Sequence, residues 1–310
     1  MSQGVVYLLS GLPVMERLAV SVFTLRQHYD GPVTILTTSK EDTSAAKCLA
    51  DDKRAGVDVL QFEPVETDRR HQAYQQKTLV PAYTPYDQTV FLDADTTIAA
   101  PFPELFEGDC VITAYSDWQT KGKRVAGRCG WWKGRDSGHH LQVDEMVARV
   151  LADEVVVTEE KNGRLKWRVA KANERVRTQG YPAINTGVTG WKKGNPFADR
   201  WRAMTAIGMG THMTDEIAMQ LLYPFVPECD VRLFDDRFNA SPIYAVNADD
   251  ARIWHFHGQK HLKKEPGRSM WEPIFREAMA AKWGKLPRWA GRHDKWVKAL
   301  LDGRDPAKVR

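Results

Sequence analysis

Apolar positions along this chain follow two periods in turn. Residues 4–9 form an unbroken apolar run of strand length. Met15, Leu18, Val22 and Leu25 then recur at helical spacing, which predicts an amphipathic helix over 15–29. Gly31 and Pro32 break it, 33–37 reads as a second strand, and 57–62 reads as a third. Residues 73–83 carry a helical pattern, and the turn Pro85-Tyr86-Asp87 leads into an apolar strand that stops at Asp93. Strands alternating with helices predict an α/β fold, a mostly parallel Rossmann-like sheet with helices on both faces.

Pro101 and Pro103 restart the chain as a loop, and 110–114 is another strand. The rhythm fails across 118–180. This stretch is rich in Gly, Lys, Arg and Trp at 121–135, helical in pattern at 142–152 and strand-like at 154–158 and 165–170, and it reads as an insertion. Regular patterning returns at 181–191, two helices are expected near 196–207 and 214–222, and a last apolar strand over 252–256 runs into His257 and Gly258. The expected organisation is an α/β unit over 1–258 that contains the insertion, followed by a helical basic extension over 259–310 bearing Trp271, Trp283, Trp289 and Trp296.

The chemistry concentrates where the fourth strand ends. Val90-Phe91-Leu92-Asp93-Ala94-Asp95 is an apolar run cut off by two carboxylates. In α/β sheets ligands bind at the carboxyl ends of strands. Two oxygen donors there suit Mn²⁺ or Mg²⁺ carrying a diphosphate, because hard cations prefer oxygen. The plain alternative is a polar turn after a strand. His255, at the end of the last strand, would complete an Asp, Asp, His set, since Mn²⁺ accepts both oxygen and nitrogen. Gly258 lets backbone approach a phosphate, and Lys260 would bring a mobile positive charge to a diphosphate.

Composition narrows the class. With 310 residues, 43% of them hydrophobic, the chain can bury a full core. Its four cysteines, Cys48, Cys110, Cys129 and Cys229, are far apart, which argues against a disulfide framework or a zinc site. No basic leader with a cleavage site opens the sequence, and no stretch approaches ~18 apolar residues, so a cytoplasmic protein, soluble or peripheral to a membrane, is expected. Net charge is +4, but 118–180 holds 14 Lys/Arg against 8 Asp/Glu and 259–310 holds 14 against 6. An acidic body with two basic, Trp-bearing segments points to an anionic partner as readily as to a solvated surface.

Together these motifs resemble the glycogenin-type, family 8 glycosyltransferases of GT-A fold. The Leu36-Thr37-Thr38 end of the second strand is similar to theirs, and Lys77 lies ahead of the Asp pair where the family carries a Lys that contacts the nucleotide-sugar. Phe91-Leu92-Asp93-Ala94-Asp95 resembles the family's metal motif, and Pro103-Glu104-Leu105-Phe106 follows it as in the family. Ile184-Asn185-Thr186-Gly187-Val188 resembles the strand lining the sugar site, Thr214-Asp215-Glu216 the Asp-Gln pair, Phe238-Asn239 the Tyr-Asn motif, and His255-Phe256-His257-Gly258-Gln259-Lys260 the His-Phe-x-Gly-x-x-Lys motif. The resemblance spans about residues 4–260. It implies a retaining hexosyltransferase with Mn²⁺ (or Mg²⁺) on Asp93, Asp95 and His255, and a nucleotide-diphosphate sugar such as UDP-glucose held by Lys77, Asp93, Asp95, Gly258 and Lys260. Asn185, Asp215 and Glu216 would stand at the sugar, with Asp215 or Glu216 as nucleophile or ion-pair stabiliser. Four departures stand out. Glu216 replaces the usual Gln. The final Gly-to-Lys spacing is one residue short, with Lys263 as the alternative. Ser10-Gly11-Leu12-Pro13 lacks the usual uridine-contacting polar residues. The stretch 118–180 has no counterpart of that length in glycogenin.

Two rival classes remain. Asp93-Ala94-Asp95-Thr96-Thr97 also fits the Asp-x-Asp-x-Thr string of haloacid-dehalogenase-type phosphatases, whose first Asp is a nucleophile. That motif normally closes the first strand, whereas three strands precede it here. The other rival is a nucleotide-sugar-binding module without catalysis. For the acceptor, 118–180 and 259–310 suggest a nucleic acid with a hydroxylated base, such as hydroxymethylated DNA, or an anionic membrane carrying a lipid-linked glycan. A protein glycan would need neither basic segment.

Overall fold

The computed structural model describes residues 1–65, 72–114, 160–161, 164–165, 184–208, 215–223, 231–243, 248–257, 262 and 264–308. In chain order the elements that frame the site are β1 (Gln3–Leu9), α1 (Met15–Leu25), β2 (Val33–Thr37), α2 (Lys40–Ala50), β3 (Val57–Gln61), α3 (Gln72–Lys77), α4 (Val80–Tyr83), β4 (Gln88–Leu92), β5 (Thr96–Ile98) and β6 (Cys110–Ala114). The expectations for 118–180 fall outside the described residues, apart from a small antiparallel pair, β7 (Glu160–Lys161) and β8 (Arg164–Leu165). Then come β9 (Ile184–Lys192), α5 (Pro196–Gly208), α6 (Asp215–Leu222), β10 (Arg232–Phe234), β11 (Ile253–His255), α7 (Gly267–Ala280) and α8 (Lys295–Leu301).

The main sheet has seven strands in the order β10-β6-β9-β4-β1-β2-β3. Its pairs are parallel except those of β9, which runs antiparallel to both β4 and β6. Val5 sits between Val33 and Val90 at the centre. Every residue of β2 and β4 is buried, as is β1 from Gly4 to Leu9 apart from half-buried Leu8, the signature of strands covered on both faces. A second, two-stranded sheet pairs β5 with β11.

Local chemistry explains where elements end. The predicted helix over 15–29 stops at Leu25, because Arg26 turns its guanidinium onto four carbonyls, those of Tyr29, Gly31, Ala55 and Gly56, at 2.6–3.0 Å. The predicted helix over 73–83 divides into α3 and α4 around Thr78 and Leu79, with Pro81, which has no N–H, in the first turn of α4. Helix α2 has no broad apolar face, and only Ala46 and Leu49 of its apolar side chains are fully buried. It is started by Ser39, whose hydroxyl accepts from the Asp42 N–H at 3.0 Å.

The C-terminal segment is part of the core. Trp271, Trp283, Trp289 and Trp296 are all at most 8% exposed and share one apolar cluster with α1, α2 and the sheet. Trp271, Phe275 and Ala278 form a buried stripe at helical spacing on α7, and Trp271 meets Trp296 edge-on at 5.3 Å. These rings therefore belong to the core and not to the surface expected to meet an anionic partner. Much of the segment's charge is also met locally, by Arg268–Glu265, Arg276–Glu272, Lys285–Asp51 and Arg304–Asp302 pairs. No helix among the described residues is long and apolar enough to cross a membrane.

The segment is tied to α1 through a buried acid. Glu16 accepts from the Gly291 N–H at 3.0 Å, and Arg17 pairs with Asp294 at 3.6 Å. Burial raises the Glu16 carboxyl above its ordinary range, and nearby Asp294 adds to the rise. The folded state therefore holds this proton more tightly than the unfolded chain. Glu16's contribution to stability falls as pH rises through that raised range, and the cost is constant above it. Glu16→Gln keeps an oxygen for Gly291 and removes the charge. It is expected to be more stable than wild type at pH 7, with the difference vanishing in acid. Melting curves at both pH values check this, each kcal/mol reading as roughly 2–4 °C.

Candidate active site

The site lies where β4 and β11 end and the antiparallel β9 begins. The Asp93 N–H donates to the Gly187 carbonyl at 2.7 Å, which extends the β4–β9 ladder by one residue. The chain then turns through Ala94 and Asp95 into β5, and the Thr96 hydroxyl closes the turn on the Asp93 carbonyl at 2.8 Å. β5 pairs with β11 so that Thr96 stands opposite His255, and the Phe256 N–H donates to the Asp95 carbonyl at 3.0 Å. This register brings His255 Nε2 to 3.2 Å from Asp95 Oδ1 and 3.7 Å from Asp93 Oδ2. Asp93, Asp95 and His255 each present one ligand atom, all within 4.8 Å of one another, a spacing that one divalent cation can bridge.

Strand β9 bulges where it meets the site. Ile112 of β6 pairs with Thr189 but Thr113 pairs with Asn185, so Thr186, Gly187 and Val188 are extra residues on β9. Bulges of this kind re-aim side chains next to active sites. Here the bulge presents Asn185 Nδ2 to Glu216 Oε2 at 2.6 Å and the Thr186 hydroxyl to Asp215 Oδ2 at 2.5 Å. A Cβ on Gly187 would overlap the His255 ring, so only glycine fits at that point.

Lys77 joins the two carboxylate groups. From the end of α3 its Nζ donates to Asp93 Oδ2 at 2.8 Å and lies 3.4 Å from Asp215 Oδ2 and from the Thr186 hydroxyl. Burial alone would lower this ammonium, but Asp93 and Asp215 outweigh it and hold Lys77 above its ordinary range. Burial raises the Asp93 carboxyl, against the pull of Lys77 and His255. Tyr74, one turn earlier on α3, is 41% exposed, and its hydroxyl is raised by burial and by the field of Asp215, opposed by Lys77.

The sequence-predicted residues Lys77, Asp93, Asp95, Asn185, Asp215, Glu216 and His255 thus converge in one place. Gly258 and Lys260, with His261 and Lys263, lie outside the described residues. Sequence reasoning missed Thr113 as a member of the cluster, and it noted Thr186, Gly187 and Asn239 only as parts of motifs. Asn239 is fully buried and bonds to Thr113, Asn185 and His255.

No protein-family profile and no curated protein matches the chain. Solved structures do. The apo structure of WbbM, a bifunctional glycosyltransferase, aligns with a TM-score of 0.53 at 11% identity over 98% of this chain and 52% of that one. The glycosyltransferase GlyE of Streptococcus pneumoniae TIGR4 aligns with a TM-score of 0.51 at 12% identity over 91% of this chain and 64% of that one. The chain therefore spans about half the length of the first and just under two thirds of the second. At such identities the likeness speaks to architecture, and the architecture is the GT-A fold of these glycosyltransferases.

Proposed function

We propose that this chain is a metal-dependent, retaining glycosyltransferase of the glycogenin-like, family 8 type, moving a hexose from a nucleotide-diphosphate sugar, a UDP-sugar, to an acceptor hydroxyl. The observation that carries the reading is the convergence of Asp93, Asp95 and His255 at the mouth of the sheet, beside Lys77 and the Asp215–Glu216 pair. The three would hold Mn²⁺ or Mg²⁺, with the Nε2 lone pair of His255 completing an oxygen-rich set. Bound there, such an ion supplies charge neutralisation for a diphosphate leaving group.

The remaining residues divide the work by environment. Asp215 is 2% exposed and engaged by Lys77 and Thr186, which suits it to holding Lys77 and the sugar in register. Glu216 is only half-buried and is steadied by the Asn185 amide. It is the carboxylate placed to face the anomeric carbon as positive charge develops there, when the bond to the diphosphate oxygen breaks. The acceptor hydroxyl oxygen then bonds to that carbon on the face the diphosphate left, and its proton passes to the departing phosphate oxygen. Glu216→Gln retains an acceptor for Asn185 and loses only the charge. It is expected to lower kcat roughly 10²-fold with KM little changed. Steady-state kinetics with wild-type turnover in this variant would remove the charge role.

For the acceptor, charge favours an anionic polymer. Exposed Lys264, Lys282, Arg288, Arg292 and Lys295 have no ion pair among the described residues. With the tryptophans buried, attraction to phosphate is the expected contribution of this segment. The test is a turnover screen of UDP-, GDP- and other nucleotide-sugars with and without Mn²⁺, adding hydroxymethylated DNA, a lipid-linked glycan or a protein glycan. Transfer to DNA supports the full reading. Donor hydrolysis or transfer to a glycan keeps the glycosyltransferase and moves the acceptor. No turnover of any donor would leave a binding module, and phosphate release from a phosphomonoester would restore the phosphatase alternative.

A further inference from the structure

The hydrogen positions around His255 follow from two groups whose polarity is not in question. The backbone N–H of Gly187 can only donate, and it points at Asn185 Oδ1 at 2.8 Å. The other end of that amide, Nδ2, faces the Glu216 carboxylate at 2.6 Å. Asn185 is therefore fixed with its oxygen towards Asn239. One end of the Asn239 amide lies 3.1 Å from that oxygen, 3.2 Å from the Asn185 backbone carbonyl and 2.7 Å from the Thr113 hydroxyl. A carbonyl oxygen only accepts, so this end of Asn239 is its NH₂. The opposite end is then Oδ1, an acceptor 2.8 Å from His255 Nδ1. The hydrogen of a neutral His255 ring sits on Nδ1, and Nε2 is bare.

We propose that Asn239 is the positioning residue of this centre. It holds His255 with Nδ1 protonated and Nε2 presented to the Asp93–Asp95 pair, and through Asn185 it ties that orientation to Glu216. The inference rests on the reading that Asp93, Asp95 and His255 hold a divalent cation. Among the described residues Nε2 meets only carboxylate oxygens, at 3.2 and 3.7 Å, so a bare ring nitrogen and two acceptors converge, an arrangement that a cation relieves. Asn239 is 0% exposed and His255 3%, so no bulk water competes for these bonds. The Gly187 backbone and the His257 ring, stacked on His255 at 4.0 Å, confine the imidazole plane, while Asn239 sets which nitrogen carries the hydrogen.

The test uses the whole chain and two readouts, Mn²⁺ affinity by electron paramagnetic resonance titration and the His255 tautomer by long-range ¹H–¹⁵N NMR on metal-free protein at alkaline pH. Wild type is expected to carry the hydrogen on Nδ1. In Asn239→Ala the ring is expected to populate the Nε2–H form and the Mn²⁺ dissociation constant to rise about 10–100-fold. Thr113→Val, which keeps the β-branched shape and removes one acceptor for Asn239, is expected to show a smaller rise. Nε2–H in metal-free wild type would overturn the inference without any variant, whether or not Asn239→Ala folds. Wild-type affinity in Asn239→Ala would overturn it while leaving the metal reading intact. Equal binding by wild type and Asp95→Ala would overturn the metal reading and the inference that depends on it.

Discussion

Asp95→Ala is expected to abolish Mn²⁺-dependent sugar transfer, with kcat/KM falling roughly 10³-fold or more. A divalent cation in such a site supplies several kcal/mol of charge stabilisation, and each 1.36 kcal/mol is tenfold in rate. Asp95 is the cleanest ligand to remove. Its backbone carbonyl, which accepts from Phe256, survives the substitution, and His255 keeps its bond to Asn239. The fold should therefore persist, and an unchanged melting temperature is the control. His255→Ala should lose activity in parallel but also leaves Asn239 Oδ1 without its partner. Turnover in Asp95→Ala that matches wild type and resists chelation would sink the metal assignment. A loss of donor binding with no turnover in either protein would point to a binding module.

The residues at the heart of this site were legible because their signal is local. An apolar run ending in Asp-x-Asp marks the carboxyl end of a buried strand wherever the partners lie, and His255 closes a second such run. The direction of β9 was not legible. Ile184, Asn185, Thr186, Val188, Thr189 and Trp191 are all buried, and a strand covered on both faces reads alike in either direction. The true end of α1 depends on Arg26 reaching carbonyls some thirty residues away, information that no window of 11–18 residues contains. Asn239 gathers partners from β6, β9 and β11, so its place in the cluster exists only once the chain is folded. The C-terminal tryptophans show the opposite failing. Trp271, Phe275 and Ala278 lie at helical spacing, so the buried stripe was there to read, but the basic composition around it drew attention to surface chemistry.

Lys77→Met is expected to cost about 3–5 kcal/mol of stability at neutral pH, because removing one member of a buried ion pair strands the others. The Lys77 side chain is 10% exposed, Asp215 is 3% and Asp93 is 26%, and Lys77 bridges both. In wild type the raised Lys77 contributes stability that is fully present below the ordinary lysine range and lost only as pH climbs through the raised one. The variant should behave differently. Burial already raises Asp93, and the Lys77 ammonium is the strongest influence opposing that rise. The folded variant then binds protons more tightly than the unfolded chain, so its deficit is expected to shrink as pH falls towards the ordinary carboxylate range and to be full at neutral pH. Metal should act in the same direction as acid. A cation held by Asp93, Asp95 and His255 puts positive charge back beside Asp93, so Mn²⁺ is expected to raise the melting temperature of Lys77→Met more than that of wild type, in which Lys77 repels it. Denaturant titrations across pH, with and without Mn²⁺, measure all three effects. A deficit that is independent of both pH and Mn²⁺ would mean that Lys77 acts through packing or through its cation–π contact with Phe91 at 5.3 Å, and that its charge is not what holds Asp93 and Asp215 together.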